Sequence, residues 1–287
     1  MAISPIAIIT DSTNDLPDEL ILQHQITVVP LTIVWDNNQY LDGVDLKRDV
    51  FYANFGKDSS LPSTLPPKAQ SFLEAFTAVT SKGASKIVVI TMSSAMSGTY
   101  ESARTAALGF KSPVTVLDSR STSMGLGFQA LAMARIAEAG GGIPDVIQAA
   151  ARVRECIQMR VSLDTLDYVV KGGKVSRIAG RIGNILRFKP QLRFNTETGS
   201  ADPGDISTSR EKALDALFNS TKKHLDKARP THFAIRYSLA DAEAQQLADR
   251  IKQEFNPVEL SVGVMSPVLG IHAGPNAVSL TGYSETW

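Results

Sequence analysis

Four short segments of the chain concentrate hydroxyl and carboxyl side chains beside stretches that are predicted to be strands. They are Asp11-Ser12-Thr13, Ser63-Thr64, Ser93 to Thr99, and Asp118-Ser119. Hydroxyl groups donate hydrogen bonds to anions, and Ser97-Gly98-Thr99 also opens a predicted helix, whose free N–H groups and positive dipole end favour an anion. Each segment alone is equally typical of an ordinary helix N-cap. Their convergence on one sheet edge would make an anion site.

A histidine near the C-terminus offers a second kind of hydrogen-bond donor. His272 is predicted to lie in a turn, because glycine, alanine and proline surround it in Gly270-Ile271-His272-Ala273-Gly274-Pro275. A lone histidine in such a turn is often structural or merely exposed. With few competing polar groups nearby, its imidazole could instead donate a hydrogen bond to a ligand oxygen.

The sequence does not predict a metal or nucleotide site. The four histidines, at 24, 224, 232 and 272, lack the spacing of a zinc site, and no second cysteine accompanies Cys156. Gly172-Gly173-Lys174 lacks the first glycine and the preceding strand of a phosphate-binding loop. We therefore expect no metal and no cofactor.

Nucleophilic catalysis by Ser97 with His272 as general base remains an alternative. The two residues are far apart in sequence, which does not exclude contact. However, Met96-Ser97-Gly98 is not the G-x-S-x-G turn of many serine hydrolases, and no carboxylate can be assigned to orient the histidine. A hydrolase or phosphotransferase is thus the second hypothesis. A regulatory module that binds a lipid only as a signal is the third.

The first half of the chain alternates predicted strands and helices. Strands are predicted at residues 6–10, 27–35, 86–91 and 114–117, and helices at residues 17–23, 46–55, 68–81, 98–108, 122–138 and 143–154, with a proline-rich loop at 59–67. This order predicts an α/β domain with a mainly parallel sheet and helices on both faces. Ligands of such sheets bind at the carboxyl ends of the strands, where the hydroxyl segments lie.

The second half has a different pattern and is predicted to form a second, two-layer α/β domain. Strands are predicted at residues 157–163, 191–195, near 206, 231–237, 259–265 and 277–282, and helices at residues 165–170, 178–185, 210–227 and 240–255. The turn at residues 198–204 predicts a hairpin. We place the boundary so that the domains are residues 1–155 and 156–287.

Composition restricts the class of protein further. Acidic and basic residues balance at 29 each, which argues against nucleic-acid binding. The N-terminus lacks the basic region of a signal peptide, and no apolar stretch approaches the ~20 residues that span a bilayer. We expect a soluble cytoplasmic monomer. A basic segment is either a solvated face or a transient contact for a membrane surface or acidic partner; its residues are Lys171, Lys174, Arg177, Arg181, Arg187 and Lys189.

Six motifs in order resemble those of the DegV family. Asp11-Ser12-Thr13-Asn14-Asp15-Leu16 is similar to D-S-T-x-D-L, and Ser93-Ser94-Ala95-Met96-Ser97-Gly98-Thr99-Tyr100 to S-S-x-x-S-G-T-Y. Asp118-Ser119 with Gly125 and Gly127, Lys171 to Ser176, Lys189-Pro190 and His272 to Pro275 supply the other four. Any one motif is weak, but six in family order between residues 11 and 275 are highly specific.

This resemblance implies two α/β domains with a long-chain fatty acid between them. Matched motif by motif, the carboxylate would be held by Ser63, Thr64, Ser97 and His272. The surrounding residues would support this site; they are Asp11, Ser12, Ser94, Gly98, Thr99, Asp118 and Ser119. The family includes the acyl-binding subunit of bacterial fatty-acid kinases. The resemblance therefore implies a lipid carrier that presents the carboxylate to a separate kinase, rather than an enzyme by itself.

Three motifs differ from the family pattern. The motif T-S-Q-P reads Ser63-Thr64-Leu65-Pro66, and H-T-G-P-G reads His272-Ala273-Gly274-Pro275-Asn276. Where many members have R-T-R, this chain has Thr208-Ser209-Arg210. The first two changes retain two hydroxyls and the imidazole, whereas the third bears on docking to a kinase.

Overall fold

The structure is a computed structural model that describes residues 5–56, 60–173 and 188–287. The strands in these ranges are β1 (Ile6–Asp11), β2 (Thr27–Val29), β3 (Thr32–Trp35), β4 (Asn38–Leu41), β5 (Ser63–Leu65), β6 (Lys86–Thr91), β7 (Val114–Asp118), β8 (Gln158–Ser162), β9 (Lys189–Phe194), β10 (Ala201–Ser207), β11 (Thr231–Tyr237), β12 (Glu259–Val264) and β13 (Val278–Ser284). The α-helices are α1 (Asp18–Gln23), α2 (Arg48–Asn54), α3 (Ala69–Ser81), α4 (Thr99–Leu108), α5 (Ser123–Glu138), α6 (Ile143–Cys156), α7 (Asp167–Lys171), α8 (Arg210–Lys222), α9 (Asp241–Phe255) and α10 (Pro267–Ala273). A 3₁₀ helix, Ser12–Asn14, follows β1.

The chain divides into two compact units, and both are discontinuous in sequence. Unit 1 comprises Met1–Ile33, Thr64–Glu155 and Thr196–Ser200, and unit 2 comprises Val34–Ser63, Cys156–Asn195 and Ala201–Trp287. Residues 34–63 lie in the first half of the chain but belong to unit 2. Residues 196–200 lie in the second half but belong to unit 1. The simpler division into domains 1–155 and 156–287 stays a prediction.

Unit 1 contains the expected parallel sheet. Its strand order is β2-β1-β6-β7, and all three pairings are parallel. The middle strands β1 and β6 are almost entirely buried and are rich in isoleucine and valine, as strands covered on both faces must be. Their carboxyl ends meet at one edge, which carries the polar loops.

Helices cover both faces of this sheet. Ile9 and Val89 pack with Phe72 and Phe76 of α3 in one core cluster, which α4 completes with Ala103. Because successive strand residues point to opposite faces, Ile8 and Val88 face the other side, and α5 packs against β1 and β6. The predicted fold class of the first half is confirmed.

Unit 2 contains a mixed sheet of order β10-β9-β8-β13-β11-β12. Its pairings are antiparallel except for β11 with β12, which is parallel. The predicted hairpin is confirmed by the antiparallel pair β9 and β10. Helices α8 and α9 contribute Leu217 and Leu247 to a core cluster with Phe233, Ile235 and Leu280 of the sheet. This is the expected two-layer arrangement.

Three sequence predictions are corrected. The single strand predicted at residues 27–35 is two strands, β2 and β3, which belong to different sheets because Pro30 has no N–H to continue a ladder. The loop predicted at residues 59–67 contains β5, an edge strand in a small sheet of order β4-β3-β5. The helix predicted at residues 210–227 ends at Lys222.

The structure describes two residues of the basic segment, Lys171 and Lys189. Lys174, Arg177, Arg181 and Arg187, and the helix predicted at residues 178–185, lie outside the described residues. Lys189 is described, and its Nζ lies 2.7 Å from Oδ1 of Asp164 in an ion pair. That pairing reduces its capacity to bind a partner.

Candidate functional site

The carboxylate of Asp11 accepts hydrogen bonds from residues at the carboxyl ends of two central strands, β1 and β6. Its Oδ1 accepts hydrogen bonds from the backbone N–H of Thr13 at 3.0 Å and from Thr13 Oγ1 at 2.6 Å. Its Oδ2 accepts from the N–H of Met92 at 2.7 Å, at the end of β6. Burial raises the pKa of Asp11, and these hydrogen bonds oppose that effect. Asp11 therefore shapes the sheet edge and has no oxygen turned to a ligand.

Other predicted supporting residues are also used internally. Ser94 donates from N and Oγ to Asp118, at 3.2 and 2.5 Å, and Asp118 also accepts from the N–H of Arg120 at 2.8 Å. Ser12 Oγ accepts from the N–H of Leu31 at 3.1 Å. The fully buried Ser119 donates its hydroxyl to the carbonyl of Ser121 at 3.2 Å. These contacts hold the loops in place.

Ser97 lies half-buried in the loop that opens α4. Its Oγ lies 2.9 Å from Thr99 Oγ1 and accepts from the N–H of Thr99 at 3.3 Å. A hydroxyl has one donor and two acceptor sites. If Thr99 donates to Ser97, the O–H of Ser97 is free to donate to a ligand. Gly98 beside it is exposed.

The segment that contains Ser63 and Thr64 runs close to this loop. A Cβ atom placed on Gly98 would lie 3.6 Å from Cγ of Pro66, an ordinary van der Waals contact. Ser63 is exposed and Thr64 half-buried in β5. Because neighbouring strand residues point to opposite faces, one ligand would meet one of these two hydroxyls on a given face. Burial favours Thr64.

His272 belongs to unit 2 and occupies the last turn of α10, not the turn that the sequence predicted. The helix begins with Pro267 at its first position, which suits a helix start because that N–H has no intrahelical partner. Its end at Gly274 has φ of 79°. The imidazole is half-buried and lies against Gly172, at the end of α7.

Sequence reasoning missed one part of the unit 1 loop cluster. Residues 196–200, which overlap the hairpin turn predicted at residues 198–204, belong to unit 1, where Ser93 Oγ donates to the carbonyl of Gly199 at 2.7 Å. Arg120 donates to the carbonyl of Glu197 at 3.0 Å. The φ of 73° at Gly199 marks a turn, but no sequence pattern gives the long-range partner.

Two properties of the described residues bear on metal binding and on membrane insertion. Within residues 5–56, 60–173 and 188–287, no group of three or more His, Cys, Asp and Glu side chains is arranged to hold a metal ion. Over the same ranges, none of the helices has the length and apolar character needed to cross a bilayer.

The chain is similar over almost its whole length to proteins of one family. The family described as "Uncharacterised protein, DegV family" matches residues 5–285. A DegV domain-containing protein of Streptococcus pyogenes is 32% identical over 278 residues, which cover 96% of this chain and 97% of that protein. One from Streptomyces coelicolor is 31% identical over 276 residues, with 96% and 97% covered.

Solved structures share the fold. The structure described as DegV, a fatty acid binding protein from Bacillus subtilis, has a TM-score of 0.89 and 26% identity, covering 97% of this chain and 99% of that one. A DegV family protein from Thermus thermophilus, described by its fatty acid binding, has a TM-score of 0.90 and 24% identity with the same coverage. The family match, the relatives above 30% identity and the shared fold lead to one conclusion: this chain belongs to the DegV family.

Proposed function

We propose that this protein binds one long-chain fatty acid, such as palmitate, and presents its carboxylate to a separate kinase that forms an acyl phosphate. The observation that carries the proposal is the chain's membership of the DegV family, together with its 26% identity to the fatty acid binding protein of Bacillus subtilis. The proposed carboxylate ligands are Ser97, His272 and one hydroxyl of the pair Ser63 and Thr64, of which burial favours Thr64.

The chemistry of these residues suits a fatty acid. Burying the tail contributes about 0.8 kcal/mol of binding free energy for each CH₂. A sixteen-carbon chain therefore contributes roughly 12 kcal/mol, from which the costs of ordering and desolvation are subtracted. A buried carboxylate needs hydrogen-bond donors, because the free-energy cost of burying it unpaired is far larger than the net stabilisation from one hydrogen bond. Hydroxyls and an imidazole supply such donors without a metal.

The hydrogen bonds within unit 1 support Ser97 as a direct ligand. Ser94 and Ser119 donate their hydroxyl protons to partners inside the loops. Ser97 shares its hydroxyl only with Thr99 among the described residues, and the pair can turn one proton outward. Thr64 is the second hydroxyl that we propose as a carboxylate ligand, because it is half-buried in the adjacent segment.

Transfer of a phosphoryl group is assigned to the partner kinase. The Thr208-Ser209-Arg210 segment, where many relatives have a second arginine, opens α8. Ser209 caps this helix by accepting from the N–H of Lys212, and Nε of Arg210 lies 3.0 Å from Oε1 of Glu243. Both terminal nitrogens of Arg210 are buried, so docking of the kinase would rely on other contacts.

The alternative enzyme, with Ser97 as nucleophile, lacks an activating contact for that hydroxyl. In the described residues Ser97 Oγ bonds to another hydroxyl, that of Thr99, which is not a general base. The carrier is therefore the function we propose. Turnover of simple esters or phosphates that is lost in Ser97→Ala would favour the enzyme instead.

Equilibrium binding of palmitate to single variants tests the ligand assignment. Thr64→Val, Ser97→Ala and His272→Ala should each lower affinity roughly tenfold or more, because each loses a hydrogen bond to a charged group. Ser81→Ala, which removes an exposed hydroxyl on α3, is the matched control and should bind as the unmodified chain does. Equal affinity in all four variants would contradict the assigned carboxylate site. Phosphorylation of bound palmitate by a fatty-acid kinase tests the second half of the proposal.

A further inference from the structure

Gly172 ends helix α7 in a conformation that does not require glycine. Its φ of −71° and ψ of −4° lie in the ordinary right-handed region, where alanine is at least as stable. The next residue is different, since Gly173 has φ of 66° and open space around its Cα. The absence of a side chain at residue 172 therefore needs another cause.

That cause is the ring of His272. A Cβ atom on Gly172 would lie 2.4 Å from Nδ1 and 3.0 Å from Cε1 of His272, closer than real side chains approach, and 3.1 Å from the carbonyl oxygen of Tyr168. Both elements belong to unit 2. The imidazole therefore packs directly on the backbone of α7, in space that any other residue would occupy.

Helices α7 and α10 also approach closely at a second point. A Cβ atom on Gly274, two residues after His272, would lie 2.5 Å from Cδ2 of Tyr168. Gly274 also has φ of 79°, so glycine suits its backbone as well. Helices α7 and α10 therefore approach closely at two points, and the ring of His272 lies at the first of them.

The packing distinguishes the two ring nitrogens. Nδ1 faces Gly172 and is closed to solvent. The imidazole as a whole is only half-buried. Nε2 lies across the ring from the contact with Gly172, so it is the nitrogen through which His272 would bind a ligand carboxylate.

We propose that Gly172 is a positioning residue that fixes His272 with Nδ1 against α7 and Nε2 directed to the ligand carboxylate. The inference rests on the proposed fatty-acid site and adds a function to the Lys171-Gly172-Gly173 motif. A methyl group at residue 172 would displace the ring and misdirect Nε2, while leaving the backbone of α7 unstrained.

A double-mutant cycle in the full chain tests this role, with palmitate affinity and thermal midpoint measured for each variant. Gly172→Ala should lower affinity roughly tenfold or more, as expected for loss of a hydrogen bond to a charged group. In the His272→Ala background the ring is gone, so adding Gly172→Ala should change affinity by less than about twofold. Gly173→Ala is the matched control, which should lower the thermal midpoint by backbone strain but keep affinity.

The outcomes separate this inference from the proposed function. The unmodified chain could bind palmitate while Gly172→Ala weakens affinity equally with and without His272. That result would overturn the positioning role and leave the proposed function intact. Absence of palmitate binding by the unmodified chain would overturn both. A direct readout is ¹⁵N NMR of labelled histidine: palmitate should shift Nε2 of His272 more than Nδ1, and Gly172→Ala should abolish that difference. A larger response at Nδ1 would contradict the proposal.

Discussion

Replacing His232 should make the stability of this protein less dependent on pH, because its imidazole is held between two carboxylates. Nδ1 lies 2.9 Å from Oε2 of Glu259, and Nε2 lies 2.9 Å from Oε1 of Glu285. The side chain is 7% exposed and stacks on Tyr283 with ring centroids 4.5 Å apart. Both nitrogens face carboxylate oxygens, and both can donate to them only when the ring is protonated.

The direction of the pH effect follows from the pKa of His232. Burial alone would lower this pKa, but the hydrogen bonds to Glu259 and Glu285 outweigh burial and raise it above 6.5. The charged ring therefore stabilises the folded state fully below pH 6.5, and this contribution is lost as pH rises through the folded pKa. Two charge-assisted hydrogen bonds, less the cost of desolvation, amount to about 2 kcal/mol.

Thermal unfolding of the unmodified chain and His232→Gln between pH 5.5 and 9 measures this contribution. At pH 5.5 the variant should unfold about 3 °C lower, given about 2 kcal/mol in a chain of this size, and the gap should shrink as pH rises. His224→Gln is the control of opposite sign. Burial, Arg160 and Lys223 lower the pKa of His224, so its removal should relieve a penalty at low pH. A His232→Gln gap that stays constant or widens toward pH 9 would refute the reasoning.

Three further predictions concern the two units. Asp11→Ala should lower the free energy of unfolding by about 2–4 kcal/mol, measured in urea, because it leaves the buried N–H of Met92 without an acceptor; a loss below about 1 kcal/mol would contradict the structural role. Gly270→Ala should cost about 1–3 kcal/mol, since its Cβ would overlap the hydroxyl of Tyr52, and a Tyr52→Leu background should recover part of that loss. Asp118→Ala should weaken palmitate binding several-fold at nearly unchanged thermal midpoint, because it releases the Ser94 loop; unchanged affinity would remove Asp118 from the site.

Local pattern was sufficient to predict most of the elements. The isoleucine and valine run of β6 and the amphipathic repeat of α3 were placed within one residue, because a buried strand and a half-buried helix each impose a period on the sequence. The parallel sheet of unit 1 followed from the alternation of these elements. The hydroxyl loops were then expected at the carboxyl ends of its strands.

The errors arose where a short segment pairs with strands that its local sequence does not indicate. Residues 27–35 have strong strand propensity throughout, yet Pro30 divides them between two sheets. Ser63 and Thr64, between prolines, are typical of a loop, and only pairing in the small sheet makes them a strand. Propensity does not encode such pairing.

The candidate site was predicted by residue type, but its geometry was not. The glycines around His272 indicate a turn, whereas they are needed because α7 and α10 approach closely, with Gly172 against the imidazole. Likewise, Asp118 and Ser94 are bonded to each other. No spacing rule reports these contacts, which join residues 24 positions apart (Ser94 and Asp118) and 100 positions apart (Gly172 and His272) in the chain.

The measurement that tests the central proposal most directly is mass spectrometry of an organic extract from the purified, denatured protein. The unmodified chain should release a long-chain fatty acid in near-stoichiometric amount, and a Ser97→Ala/His272→Ala variant of equal thermal midpoint should release far less. No fatty acid from the unmodified chain, even after incubation with a range of chain lengths, would contradict the lipid-carrier function.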